Sequence, residues 1–236
     1  MAADIRLGGR TWALDAVTVL TALGVIFFLV APVAWIFIAS FQTTATMFSD
    51  GPAEWTLDNY RTIWEADFGT YIFNSLFMCV TAVVIVTIIG VFAAYVFSRY
   101  RFRAKRVVFG AVVLGQLFPW IILVTPLFIM FARFGLLNTY TGMIFSYVAI
   151  ALPFTVYLLV GYLESVPRDL DEAAFMDGCS RLQVIFHVVL PLMIPGIVAT
   201  ATYSFLLMWT EYLFALAFLT QTSMKTMPLG LALFFG

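Results

Sequence analysis

Phe68 to Arg106 reads FGTYIFNSLFMCVTAVVIVTIIGVFAAYVFSRYRFRAKR. The part from Phe68 to Ser98 contains no Asp, Glu, Lys or Arg. That is longer than the roughly 20 residues a helix needs to cross a bilayer. The basic run from Arg99 to Arg106 follows at once. An oily run closed by clustered Lys and Arg is the pattern of a membrane span ending at a cytoplasmic turn.

The rest of the chain repeats the pattern. Ala16 to Ser49, Val107 to Ala132 and Phe134 to Leu163 are also free of those charges. A fifth run, Leu192 to Leu219, contains one acid, Glu211. Of the 236 residues, 63% are hydrophobic and 11% charged. Mean hydropathy is +1.02. A soluble domain is about 25% charged. The predicted class is an all-α integral membrane bundle with five spans near 16–39, 71–97, 107–131, 138–162 and 194–219. The first run is too long for a signal-peptide core and reads as a retained span. Met227 to Gly236 is apolar but too short to cross.

Lys and Arg set the orientation. With a cytoplasmic N-terminus, the inside holds Arg6, Arg10, Arg99, Arg101, Arg103, Lys105, Arg106, Arg168 and Arg181. The outside holds Arg61, Arg133 and Lys225, giving nine against three. The loop from Gln42 to Thr70 then lies outside, and the polar stretch between spans four and five lies in the cytoplasm. Two segments are expected: 1–69, with the tail, first span and outer loop, and 70–236, the compact membrane domain. The basic run is explained by topology, and no nucleic-acid surface is expected. Cys79 and Cys179 fall at different depths, so no disulfide is expected between them. His187 is the only histidine, and no metal or other cofactor site is expected.

The polar stretch at 165–191 carries local signals. Ser165 is placed to cap a helix, with Pro167 in its first turn. Asp169, Asp171 and Glu172 crowd the start, where the helix dipole favours acids. Ala173 and Ala174 offer a small, exposed surface. Gly178 stands where a C-terminal glycine ends a helix, and Asp177 and Arg181 either pair across the turn or are simply solvated. Ser180 to Gln183 fits a capping box. Pro191 predicts a break before span five. The pattern is helix, glycine elbow, helix.

These residues resemble the EAA loop of ABC importer permeases: Glu172-Ala-Ala-x-x-x-Gly178, then Val188-x-Leu190-Pro191, with Val188 where the family usually has Ile. LDNY at 57–60, NSL at 74–76, AYVFSRYRFRAKR at 94–106, TPLF at 125–128 and GLLNTYTGMI at 135–144 are similar to the carbohydrate-uptake branch, in particular the second permease of maltose-type importers. One departure is Trp209-Thr210-Glu211, where such permeases commonly have Trp-Asn-Asp/Glu. The resemblance also implies a sixth span where the chain reaches Gly236.

The resemblance implies a multi-pass permease subunit of the bacterial plasma (inner) membrane. Its implied partners are a second permease subunit, cytoplasmic ATP-binding subunits, an extracytoplasmic solute-binding protein and a sugar. Glu172, Ala173, Ala174, Asp177, Gly178 and Arg181 would couple to the ATPase. The chain has no P-loop, so ATP hydrolysis is expected on a separate subunit. Asn74, Gln116, Tyr157, Ser204, Trp209 and Glu211 are candidates for the solute path. Thr200, Ser204, Met208, Glu211 and Ala215 share a helical stripe, which equally describes a helix–helix interface. Alternatives are a proton-coupled carrier using Glu211, which requires inverted repeats or further buried charges, and a non-transporting scaffold or fragment.

Overall fold

The structure, a computed structural model, describes residues 11–47 and 52–234. Arg6 and Arg10, two of the cations that set the expected orientation, lie outside the described residues. Among the described residues every regular element is helical, apart from a single β-bridge between Gln42 and Trp55. The all-α class expected from the sequence is what forms.

The chain divides into two compact units between Ala66 and Asp67. The first contains the apolar helix α1 (Thr11–Ala39), the short α2 (Thr44–Met47) and α3 (Asp58–Glu65). Its loop is partly ordered by polar contacts. The Asn59 amide donates to the carbonyls of Ser40 and Gln42, both at 2.9 Å. The Ser40 and Tyr60 hydroxyls lie 2.6 Å apart.

The second unit is built on α4 (Phe68–Arg99). Next come α5 (Lys105–Gln116), α6 (Trp120–Phe134) and α7 (Tyr140–Glu164). Helices α4 and α7 run parallel, since Asn74 meets Tyr140 at one end and Arg99 meets Leu163 at the other. Below, these are the far end and the basic end. A Cβ at Gly90 would come within 2.7 Å of Thr155, so only glycine allows this approach of α4 to α7. Small residues at membrane-helix contacts serve this purpose. Phe73, Val80, Val84 and Ile88 form an exposed apolar stripe on α4. Such a face suits lipid, which solvates it as well as a protein core would.

The span expected at 107–131 is sharply bent. Helices α5 and α6 meet at an angle of 97°. Pro119 has an extended ψ of 118° and no N–H to continue the ladder. It also disfavours helical geometry at Phe118. Pro126, Pro153 and Pro195 lie inside helices without breaking them.

After α7 come α8 (Asp169–Met176), α9 (Arg181–Val184), a π-turn (Ile185–Val189) and α10 (Leu190–Trp209). The break expected at Pro191 is absent: one helix runs from Arg181 to Trp209. The π-turn shifts the hydrogen-bond register ahead of the proline, with Leu190 N–H donating to Ile185 O. A π-bulge absorbs a missing donor in this way. Helix α10 packs antiparallel on α7, with Ser204 against Thr155 and Gly196 against the Tyr162 ring.

The span expected to reach residue 219 ends at Trp209. Then come α11 (Leu213–Phe218), a 3₁₀ turn (Thr222–Met224) and α12 (Met227–Phe234). Among the described residues, four helices are long and apolar enough to cross a bilayer, and the bent α5–α6 pair makes a fifth if it counts as one span.

Candidate functional site

The elbow after α7 is the most shaped polar element of the second unit. It starts differently from expectation. The Ser165 hydroxyl donates back to Tyr162 O at 2.6 Å, so Ser165 closes α7. Arg168 holds the N-cap position of α8 and makes no side-chain cap bond there. Asp169, Asp171 and Glu172 do fill the first turn.

Helix α8 ends in a Schellman motif. Cys179 N–H donates to Ala174 O at 3.0 Å and Gly178 N–H to Phe175 O at 3.1 Å. Gly178 carries φ +85°. This left-handed backbone favours glycine. A Cβ at 178 would meet nothing within 4 Å, so the demand for glycine is one of backbone conformation. The capping box at Ser180 forms in both directions: Ser180 N–H donates to the Gln183 side chain at 2.7 Å, and Gln183 N–H to the Ser180 hydroxyl at 3.4 Å.

Two details of the coupling residues need correction. Ala173 is exposed, but Ala174 is buried and joins the core of Leu159, Leu163 and Val184, so only one of the two alanines offers an outer surface. The Asp177–Arg181 pair does not form. Asp177 and Glu172 are exposed. Arg181 instead donates to the Tyr100 hydroxyl, and its guanidinium lies 5.2 Å from the Tyr100 ring centroid. The aromatic face and the hydroxyl satisfy the cation together. The outer side of α8 presents Leu170, Ala173 and Met176, the last 88% exposed.

The elbow is fastened by residues whose sequence signals concern topology, the helix dipole or the family resemblance rather than a contact. Arg99 at the end of α4 pairs with Asp171 at 2.7 Å, each side chain 7% exposed. Arg99 also donates to Val166 O at 3.1 Å and Leu163 O at 3.4 Å. Arg168 donates to Ser98 O in the last turn of α4. A cavity of about 440 Å³ lies beside these groups, lined by Tyr95, Tyr100, Glu172 and Phe175 among others. Arg99 and Asp171 are 72 positions apart, so no local spacing could have revealed the pair.

The six solute-path candidates fall into two kinds. Asn74, Ser204 and Glu211 are buried and engaged. Asn74 donates to Ser223 O and Lys225 O, both at 2.9 Å, and accepts from the Tyr140 hydroxyl at 2.7 Å. Ser204 and Thr155 hydroxyls lie 3.0 Å apart. The Glu211 carboxylate accepts from Phe214 N–H at 2.7 Å and Ala215 N–H at 3.3 Å, holding the first turn of α11. Thr200, Met208 and Ala215 of the same stripe are also buried. Gln116, Tyr157 and Trp209 retain accessible surface. Gln116 reaches Pro153 O at 3.4 Å, Tyr157 stacks on Phe109 and Trp209 on Phe205. Asn138 was not anticipated. At φ 54° its side-chain oxygen accepts from Thr220 N–H at 2.7 Å and Gln221 N–H at 2.9 Å.

Residues 86–234 match the family of binding-protein-dependent transport system inner membrane components. The diacetylchitobiose uptake system permease protein NgcG of Streptomyces coelicolor is 35% identical over 207 residues, covering 86% of this chain and 68% of the relative. The trehalose transport system permease protein SugB of Mycobacterium tuberculosis is 38% identical over 209 residues, covering 87% of this chain and 76% of the relative. The trehalose/maltose transport system permease protein MalG of Thermococcus litoralis is 36% identical over 211 residues, with the same two coverages, 87% and 76%. Among solved structures, a bacterial ABC transporter involved in the import of the acidic polysaccharide alginate superposes with a TM-score of 0.74 at 24% identity, over 96% of this chain and 81% of that chain. The apolar helices, the glycine elbow and these matches place the chain in one group: it belongs to the binding-protein-dependent transport system inner membrane components, as a multi-pass ABC importer permease.

Proposed function

We propose that the chain is one permease half of an ATP-driven importer for a sugar or oligosaccharide, with 165–191 as its ATPase-coupling loop. The observation that carries the reading is the elbow itself. Helix α8 is held rigidly from behind and presents Leu170, Ala173 and Met176 outward. An exposed apolar face on a shaped element calls for a partner. The relatives named for trehalose, maltose and diacetylchitobiose uptake support a sugar cargo.

In this reading a second permease subunit completes the pathway, and cytoplasmic ATP-binding subunits hydrolyse ATP. An extracytoplasmic solute-binding protein delivers the sugar. The chain itself is non-catalytic. ATP-driven closure of the ATPases would bias the pair between two global arrangements, and it can do so only by binding one arrangement better than the other. Glu172, Ala173 and Met176 would meet the ATPase, and Gly178 would keep the turn stiff. Gln116, Tyr157 and Trp209 are the solute-path candidates with surface to offer. Asn74, Ser204 and Glu211 would shape the path from behind. A cytoplasmic N-terminus follows from the nine-to-three bias of Lys and Arg.

The test is purification from the native membrane in mild detergent, comparing wild type with Gly178→Pro at matched expression. Proline holds φ near −65°, far from the +85° of this turn. An ATPase retained by wild type and lost from the variant is the expected result. A well-folded wild-type chain that comes down alone, or sugar uptake that survives deletion of the ATPase gene, would sink the proposal. Reporter fusions at the N-terminus and after Arg133 check the orientation.

A further inference from the structure

We propose that Arg99, through its buried pair with Asp171, is the positioning residue that locks α8 to α4, so that motion imposed on the elbow reaches α4 directly. This rests on the coupling reading of the loop given above.

Along the chain α8 connects backward to α7 and forward, through α9, to α10. It has no covalent neighbour in α4. Its own buried residues are Asp171 and Ala174, a carboxylate and a methyl group. An alanine methyl offers little apolar area, so α8 is not held mainly by hydrophobic burial. What holds it to α4 is one guanidinium. Arg99 Nε donates to Asp171 Oδ2 at 2.7 Å, with Nη2 at 3.5 Å from Oδ1. The other contacts of its fork go to Val166 O, Leu163 O and the Ser98 hydroxyl. A single planar group thus gathers the end of α4, the end of α7, the connecting loop and α8. Lysine, with one point charge, cannot reproduce that fork.

The attachment is reciprocal. Arg168, next to α8, donates to Ser98 O. That carbonyl belongs to the last turn of α4, where a cation is favoured by the helix dipole. Arg181, at the start of α9, holds Tyr100, the residue that follows α4. Cations on both sides of the Gly178 elbow therefore converge on one helix end. A buried ion pair is a poor device for adding stability, because desolvation offsets most of its attraction. It is a good device for fixing one geometry, since its oxygens and N–H groups are satisfied in few arrangements.

The experiment uses the full importer with its partner permease and ATPase, carrying Cys179→Ser. Spin labels go on Val96→Cys of α4 and Phe175→Cys of α8, both exposed positions and neither on the face offered to the ATPase. Asp171→Asn and Arg99→Lys are compared with wild type. Three quantities are read: ATPase retained, the width of the label-to-label distance distribution, and sugar moved per ATP hydrolysed in proteoliposomes. The expected result is retained ATPase, a broadened distribution, and a fall in sugar per ATP of about threefold to thirtyfold, the usual range for residues that carry coupling. Asp171→Asn should show the larger change, and if it fails to accumulate, Arg99→Lys decides by the same readouts. Distances and coupling ratio unchanged from wild type would overturn the proposal. So would reduced thermal stability with an unchanged coupling ratio, the mark of a merely structural pair. If wild type itself retains no ATPase, the coupling reading fails. The distances then still decide the lock: broadening upholds it and an unchanged width refutes it.

Discussion

The two ends of the α4–α7 pair are held by opposite chemistry. At the far end the fasteners are two side-chain amides, a hydroxyl and one carboxylate, with no cation among them. Asn74 uses both amide hydrogens on the carbonyls of Ser223 and Lys225 and its oxygen on Tyr140. Asn138 takes the N–H groups of Thr220 and Gln221. Ser75 accepts from Met227 N–H at 2.7 Å, and Glu211 holds the start of α11. These groups satisfy one another within the chain. At the basic end the fasteners are guanidinium groups, which reach from one element to the next and leave the outer side of α8 open. The far end is closed on itself, and the basic end is braced from behind with one side of α8 uncovered. Burial does not separate the two, because each end has its own apolar cluster, around Met143 and Tyr147 at one and around Leu159 and Val189 at the other.

This contrast can be broken most forcefully at Asn74. Asn74→Asp keeps the shape but sets carboxylate oxygens against two carbonyls that have lost their donor. The expected cost is about 1–3 kcal/mol for each carbonyl, so as much as about 6 kcal/mol. Loss of a monodisperse peak on size exclusion after mild heating checks it, and the remaining folded fraction should still retain the ATPase. Arg99→Ala strands Asp171 without a partner, at an expected cost of about 3–5 kcal/mol. Here the drop in thermal stability should come with loss of coupling, and a stability loss alone would erase the distinction between the ends.

Gly178→Ala should cost about 1–2 kcal/mol, because a Cβ is disfavoured at positive φ while the space around it is empty. Restored stability in a Gly178→Asn variant, which tolerates that backbone better, would confirm that conformation and not packing sets the demand. Ser180→Ala removes one side of the capping box and should cost about 1 kcal/mol in the same heating assay. The smallest effect on stability belongs to Met176→Glu, within about 0.5 kcal/mol for so exposed a position. That variant should nevertheless lose the ATPase on purification. If it keeps the ATPase, the open face of α8 is not the meeting surface.

Much of the elbow was legible because its signals act within one helical turn. Acids at the start of α8, Gly178 at its end and Ser180 paired with Gln183 are contacts among near neighbours, and all three form as the spacing predicts. Ser165 shows the limit of such reasoning. A serine between two helices can close the first or open the second, and its hydroxyl turned back to Tyr162. Prolines misled in both directions. Pro119 bends its span by 97°, whereas Pro191 lies in an unbroken helix behind a π-turn. In a membrane the neighbouring helices can resatisfy the freed carbonyl groups, so a proline alone does not foretell a break.

What the sequence determined by itself is the apolar length of the spans, the bias of cations to one side, and the local turn chemistry of the elbow. Each depends on composition or on residues three to four positions apart, which share one helix face. What only the tertiary structure decided is which groups meet across helices. Asn74 reaches Lys225 over 151 positions, Asn138 reaches Thr220 over 82, and Arg99 reaches Asp171 over 72. Such pairs leave no periodic trace, because they exist only after α4 and α7 pack in parallel and bring their ends into register. The apolar runs place the helices in the membrane, small residues such as Gly90 let them approach, and the packing then gives each isolated polar side chain its partner.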